Sequence, residues 1–206
     1  MKSEDTKTLE SAVQQIISVL TPDQYHSDEI LKETPHRVAQ ALLELTSGYH
    51  DDPDRIINDA YYPSDSSEIL LMRNIKYSSM CEHHLLPFFG EIHIAYIPNG
   101  KIIGLSKLPR LVQMYAHRLQ LQERLVTQVA QLLNDRLQPK GLAVIATGVH
   151  LCASVRGIRD CSASYVATAF LGDFQGIVLQ NRLYGLMAAL LGSPASLANQ
   201  FLKSDE

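Results

Sequence analysis

The chain's 206 residues suffice for one sizeable domain, or for a domain carrying a helical arm. A composition of 46% hydrophobic and 19% charged residues excludes a disordered or fibrous chain, and a net charge of -4 offers no broad basic face to nucleic acid. No apolar run reaches the roughly 18 residues of a membrane span, and the polar, acidic start "MKSEDTKTLE" lacks the blocks of a secretory signal, so a cytoplasmic protein without membrane contact is expected.

The spacing of Leu9, Val13, Ile16, Ile17 and Leu20 predicts a helix over 6–20. "DEILKETPHRVAQALLELTSGY" continues in helical style, with Thr34 as a cap, Pro35 in the first turn and Gly48 as the stop. "HDDPD" and "YYPSDSS" read as loops. From about Glu68 the pattern changes to short runs rich in branched and aromatic residues, "EILLMRNIKYSS" and "EIHIAYIP", and "PNGK" at Pro98 to Lys101 marks a turn before "IIGLS". Ser106 then caps a helix with Pro109 in its first turn and an apolar stripe of Leu111, Val112, Tyr115 and Leu119. A further helix over about Gln122–Leu137 carries Leu125, Val126, Val129, Leu132 and Leu133, and "QPKG" closes it. "LAVIATGVHLCASV" and "SYVATAFLGDF" read as strands, and the chain from Gly176 onward as helical. The order is helical arm, two strands, two helices, two strands. It gives an α+β class, an antiparallel sheet with a helical pair on one face. The arm is assigned to residues 1–66, and the sheet domain with its helical C-terminal tail to 67–206.

Three cysteines in a chain expected in a reducing compartment point to thiols or metal ligands rather than disulfides. Cys81 and His84 have a chelating spacing. His150 and Cys152, in "GVHLCASVRG", would share one face of a strand. Two distant segments therefore offer four ligands. Either all four close a structural zinc site, or three bind the metal and a water of lowered pKa takes the fourth place. Spacing does not choose between them, or between either and a chain that binds no metal. In the second case His83 and His150 are left for proton transfer; otherwise His83 is an ordinary hydrogen-bonded histidine.

"GLSKLPR" sets Ser106 at a helix start with Lys107 and Arg110 on one face, where free N–H groups and two cations form an anion site. Alone, the pair would be solvated surface charge. Arg156 and Arg159 add positive charge soon after Cys152. In "LQLQERL" the Glu123 carboxylate suits two adjacent N–H donors, as on the N1/N2 edge of guanine, although Gln122 and Glu123 by themselves read as exposed helix residues.

Together, "ETPHRVAQALLELTSGY", "SSMCEHHLLPFFGEIHIAYIPNGKIIGLSKLPRLVQMYAHRLQLQERL" and "VHLCASVRGIRD" resemble GTP cyclohydrolase I in order and spacing, over roughly residues 30–172. The resemblance implies the T-fold (tunnelling fold), and a homo-oligomer, a decamer of two stacked pentamers with active sites between subunits. It implies GTP as substrate and Zn2+ held by Cys81, His84 and Cys152. His83 and His150 match the catalytic histidines, and Gln122 and Glu123 the guanine-recognising pair. Ser106 matches a residue near the ribose. Lys107, Arg110 and Arg156 match triphosphate contacts, and Arg37 another, from a neighbouring subunit. In the implied reaction water adds at C8 of the guanine, the imidazole ring opens, C8 leaves as formate, and the rearranged ribose closes the ring of 7,8-dihydroneopterin triphosphate. Thr147, where the family has an acidic residue, and Ala163 and Tyr165, where it has small hydroxyl residues, depart from the pattern. Two other readings stay open: a divergent relative with a different end product, and a zinc-binding T-fold protein without turnover. Cys161 has no assigned role.

Overall fold

The computed structural model describes residues 3–22 and 28–189. Helices α1 (Ser3–Leu20) and α2 (Asp28–Leu45) pack on one another at the N-terminus, bridged where Glu10 meets Nδ1 of His36 at 2.6 Å. The second helix does not begin at Pro35. It starts at Asp28 and carries a buried Pro35 in its interior, so Thr34 caps nothing. Gly48 falls in a 3-10 turn, Ser47–Tyr49, that donates to the carbonyl of His117 at 2.9 Å. A Cβ there would lie 2.1 Å from the carbonyl oxygen of Met114, so only glycine permits this approach.

Both expected loops contain structure. Asp52 caps a short helix, α3 (Pro53–Ile57), by accepting from the backbone of Asp54. Tyr61–Ser64 forms β1, paired antiparallel with β4 (Gly100–Ile103). The turn at "PNGK" is real, with Gly100 at φ 82, but it sends β4 to β1 rather than back along its predecessor.

The main sheet holds β2 (Leu70–Cys81), β3 (Pro87–Ile97), β5 (Leu119–Gln120), β6 (Gly141–His150) and β7 (Tyr165–Gly172) in the order β5-β2-β3-β6-β7. All neighbours are antiparallel except the short β5 on β2. Helices α4 (Lys107–Ala116) and α5 (Gln122–Leu137) cover one face. Leu119 is therefore a strand residue, not part of α4: the helix stops at Ala116, whose carbonyl accepts from the buried Ser79 hydroxyl at 2.6 Å. A four-residue helix, α6 (Leu151–Ser154), follows β6 directly. The tail is helical as α7 (Ile177–Ala189); its remainder lies outside the described residues.

Strand alternation sorts the core. Phe88, Ile92 and Ile94 of β3 and Leu142, Val144 and Ala146 of β6 face α4 and α5, meeting Leu111, Val112, Leu125, Val129 and Leu133. The opposite parity, Ala95, Ile97, Ala143 and Ile145, packs on Phe174 and on Leu183 of α7. The alternation continues through Gly148 to His150, which places both under the start of α5.

On the other face β2 bulges between Met72 and Ile75, with Asn74 at φ 59, and the Asn74 N–H donates to Nδ1 of His93 at 3.1 Å. That bond requires an unprotonated Nδ1, and burial holds the His93 pKa below its ordinary value, with Glu91 opposing. The neutral ring is thus the folded form. Its contribution is complete above the unfolded value of about 6.5 and is lost as pH falls through the lowered folded-state value. Denaturant midpoints should drop as pH is lowered from about 7 to 5, and His93→Gln, which keeps an acceptor that does not titrate, should flatten that part of the profile.

Candidate active site

At the end of the sheet where α5 begins, a cavity of about 450 Å³ is lined by Cys81, His83, Gln122, Glu123, His150 and Cys152, among others. Two segments build its floor. The first is the turn between β2 and β3. Cys81 donates to the carbonyl of Leu86 and accepts from Leu85, both at 2.9 Å, and Leu85 takes φ 52 to close the turn. This brings His84 round beside Cys81 and leaves His83 on the cavity wall, its ring at 89° to that of His84. The second segment is the junction of β6 and α6. Cys152 does not continue the strand. It sits in the first turn of α6, and that change of backbone carries its thiol to Cys81.

Among the described residues, Cys81, His84 and Cys152 are the trio whose ligand atoms lie within 4.8 Å of one another. His150 stands outside it. Its Nε2 faces Oε1 of Gln122 at 3.0 Å and its ring stacks on Phe88, its cross-strand partner, at 4.5 Å and 5°. The trio fits a zinc ion: two thiol sulfurs and an imidazole are the donors zinc prefers, and three protein ligands leave one position open. Burial first, then the adjacent Cys81 thiol, pushes the Cys152 pKa up, with Arg156 opposing. A bound cation would reverse that penalty by holding both sulfurs as thiolates. Burial also lowers the His150 pKa, with Glu123 opposing.

The first turn of α5 presents three consecutive side chains in three directions. Gln122, expected on the guanine edge, is fully buried and spends its amide on protein partners. Glu123 is exposed on the cavity wall. Arg124 makes a two-pronged pair with Glu82, both bonds 2.6 Å, and so ties α5 to the β2–β3 turn. That pair, the Phe88 platform and Gly148 had no distinct sequence signal, although a lone glycine in a strand does mark a close approach.

The cationic residues are spread more widely. Arg156 donates to Nε2 of His84 at 2.7 Å. Lys107 and Arg110 line a separate polar cavity of about 390 Å³ with His50, Arg55 and Asn58 and with two carboxylates, Asp51 and Asp52. Ser106 occupies the cap position of α4 without a side-chain capping bond. Arg37 is exposed on α2, 3.9 Å from Glu33, and lines neither cavity within the single chain.

The sequence model of a family described as GTP cyclohydrolase I matches residues 9–184. The chain belongs to that family. Relatives named GTP cyclohydrolase 1 include one from Campylobacter curvus, 44% identical over 168 residues, covering 82% of this chain and 87% of that protein. Another, from Alkalilimnicola ehrlichii, is 44% identical over 170 residues, covering 82% and 91%. The Saccharomyces cerevisiae protein is 44% identical over 175 residues, covering 84% and 71%. A solved apo structure of the archaeosine synthase QueF-Like aligns with TM-score 0.44 and 16% identity over 53% of this chain and 97% of that one.

Within the GTP cyclohydrolase I family, then, the antiparallel sheet with its helical pair is the expected T-fold. The departures from the family pattern fall in different places. Thr147 has the parity opposite to His150, so its side chain lies on the far face of the sheet and supports neither the trio nor that histidine. Ala163 and Tyr165 line the cavity, and Tyr165 meets the His150 ring edge-on at 5.8 Å. No helix among the described residues is long and apolar enough to cross a membrane.

The Arg124 hydrogen bonds hold the Glu82 carboxyl below its ordinary pKa, burial opposing. Arg124→Leu should return the Glu82 titration, followed by carboxyl-resolved NMR, toward the usual value of about 4.3. It should also lower turnover by loosening the turn that carries His83.

Proposed function

We propose that the chain is a zinc-dependent GTP cyclohydrolase I, converting GTP and water into formate and 7,8-dihydroneopterin triphosphate. One observation supports this most strongly: Cys81 and Cys152, two of the three members of the Cys-His-Cys trio, line one cavity with His83, His150 and the exposed Glu123, and His84 lies within ligand reach of both sulfurs. Cys81, His84 and Cys152 would hold the zinc, which when bound acidifies a water so that a nucleophile exists near neutral pH. Every other task falls to the chain's side chains. The Glu123 carboxylate accepts from the N1 and N2 hydrogens of guanine and orients C8. His83 and His150 move protons to and from the ring nitrogens and the ribose oxygen; ring opening and the later rearrangement each need a donor and an acceptor. Ser106 lies near the ribose.

The triphosphate is bound by Arg156, Lys107 and Arg110, and by Arg37 from a neighbouring subunit. The last assignment accords with the exposure of Arg37 and with its absence from the lining of both cavities. Residues 1–66 form the arm, which ends in β1 rather than in helix and is tied through that strand to β4, and 67–206 the catalytic domain with its tail. The chain assembles as a decamer of two stacked pentamers in the cytoplasm, its sites completed between subunits. The edge strand β7, with Tyr165 and Val166 about half exposed, accords with a sheet continued by a second copy.

Incubation of zinc-loaded protein with GTP should release formate and generate the near-UV absorbance of a dihydropterin together. Formate without the pterin signal would replace the product by a ring-opened nucleotide. Neither signal, with zinc confirmed bound, would reject the reading. Cys152→Ser should lose zinc and activity together, and zinc retained in that variant would sink the ligand assignment. His83→Ala should keep zinc and lower kcat by about 10²–10⁴-fold. Glu123→Ala should lower kcat/KM for GTP by about 10²-fold or more, because two guanine N–H groups lose a charged acceptor.

A further inference from the structure

Gln122 has no polar side-chain atom left with which to read a base. The side chain is wholly buried. Its Nε2 donates to the carbonyls of Ala146, at 3.1 Å, and of Tyr165, at 2.9 Å. Both amide hydrogens are used, and two carbonyl acceptors at one end of the amide fix that end as nitrogen. The oxygen end then lies 3.0 Å from Nε2 of His150. An amide oxygen only accepts, so the histidine nitrogen facing it must carry a hydrogen.

The surroundings are built to keep this contact. A Cβ on Gly148 would lie 2.5 Å from Oε1 of Gln122 and 2.5 Å from the Tyr77 hydroxyl, so the strand omits a side chain where the amide passes. Phe88 stacks on one face of the His150 ring, and Tyr165 meets it edge-on at 84°. The stack fixes the plane of the ring, and the bond fixes its edge, since a ring turned over in that plane would set Cε1 rather than Nε2 against the amide oxygen.

We propose that Gln122 is a positioning residue that fixes His150 with a hydrogen on Nε2, so that Nδ1 is the atom through which His150 gives and takes protons. Recognition of the base is left to Glu123. This deepens the GTP cyclohydrolase I reading and rests on it for the reaction, but the tautomer itself is a property of the protein alone.

Two measurements test it. Magic-angle-spinning NMR of the zinc-loaded full chain labelled with ring-15N histidine reads the tautomer, the His150 signals being assigned by their loss in His150→Gln. A single tautomer with hydrogen on Nε2 is expected; hydrogen on Nδ1, or a mixture, overturns the proposal. In steady-state kinetics Gln122→Leu should lower kcat for GTP by about 10²–10³-fold with KM little changed, and its His150 should no longer show a single tautomer. Gly148→Ala displaces Oε1 without removing any functional group and should act in the same direction, so the test survives if Gln122→Leu does not fold. A raised KM with unchanged kcat would return Gln122 to base recognition and overturn the proposal. Wild-type protein inactive on GTP would count against the function proposed above, while the NMR result would still decide the tautomer.

Discussion

The site depends on how the first turn of α5 meets β6 at Gly148. A glutamine side chain is buried there at no exposure, and a buried amide without partners costs on the order of 1–3 kcal/mol for each unmet group. The chain meets that demand fully: Ala146 and Tyr165 accept, and the histidine at the strand end donates. Among the described residues, no buried side-chain nitrogen or oxygen lacks a partner. The helix is therefore registered against the sheet by directional bonds, whereas the apolar contacts beneath, such as Leu125 and Val129, would tolerate small slides. Everything the helix start presents to the cavity inherits that register.

Register alone would fix only one wall. The opposite wall is the β2–β3 turn, whose Glu82, His83 and His84 follow directly on Cys81, the last residue of β2. The Glu82–Arg124 fork joins the two walls at a side chain directly following Glu123. Both partners are partly exposed, so the pair adds little to global stability. Its effect is geometric, since a two-pronged bond fixes orientation as well as distance. The turn itself is held in a conformation that leucine rarely adopts, at Leu85, which a scaffold tolerates where the position of a neighbouring side chain matters more than local ease.

Much of this was legible in the sequence because it rests on period and spacing. The strand and helix alternation gave the antiparallel sheet and its covering pair; spacing offered Cys81, His84, His150 and Cys152 as four ligands, and the resemblance singled out the trio. The misses have physical reasons. Pro35 reads as a helix start, yet the turn preceding it is helical too and the proline ends buried. "YYPSDSS" reads as a loop because its strand is four residues long and finds its partner, β4, some forty residues later. Gln122 reads as an exposed helix residue because no local pattern reveals that the strand opposite lacks a side chain. Thr147 drew notice by proximity to His150 in sequence, whereas strand alternation puts it on the other face.

The two floor segments share a device. Each places a proposed metal ligand beside a histidine proposed to stay free: His84 next to His83, and Cys152 two residues after His150. In a continued strand His150 and Cys152 would project together, and the histidine would stand as close to the metal as the cysteine. The switch from strand to helix at Leu151 breaks that equivalence. Cys152 rotates to Cys81, while His150 stays under α5 in the grip of Gln122 and Phe88. The turn at Glu82–Leu85 does the same for the adjacent histidines, whose rings stand almost perpendicular. Separating metal binding from proton transfer therefore needs no extra segments, only a change of backbone conformation at the point where each pair occurs. The cost is a demand for precision at those two points, and the buried amide at Gln122 and the fork at Arg124 are placed to meet it.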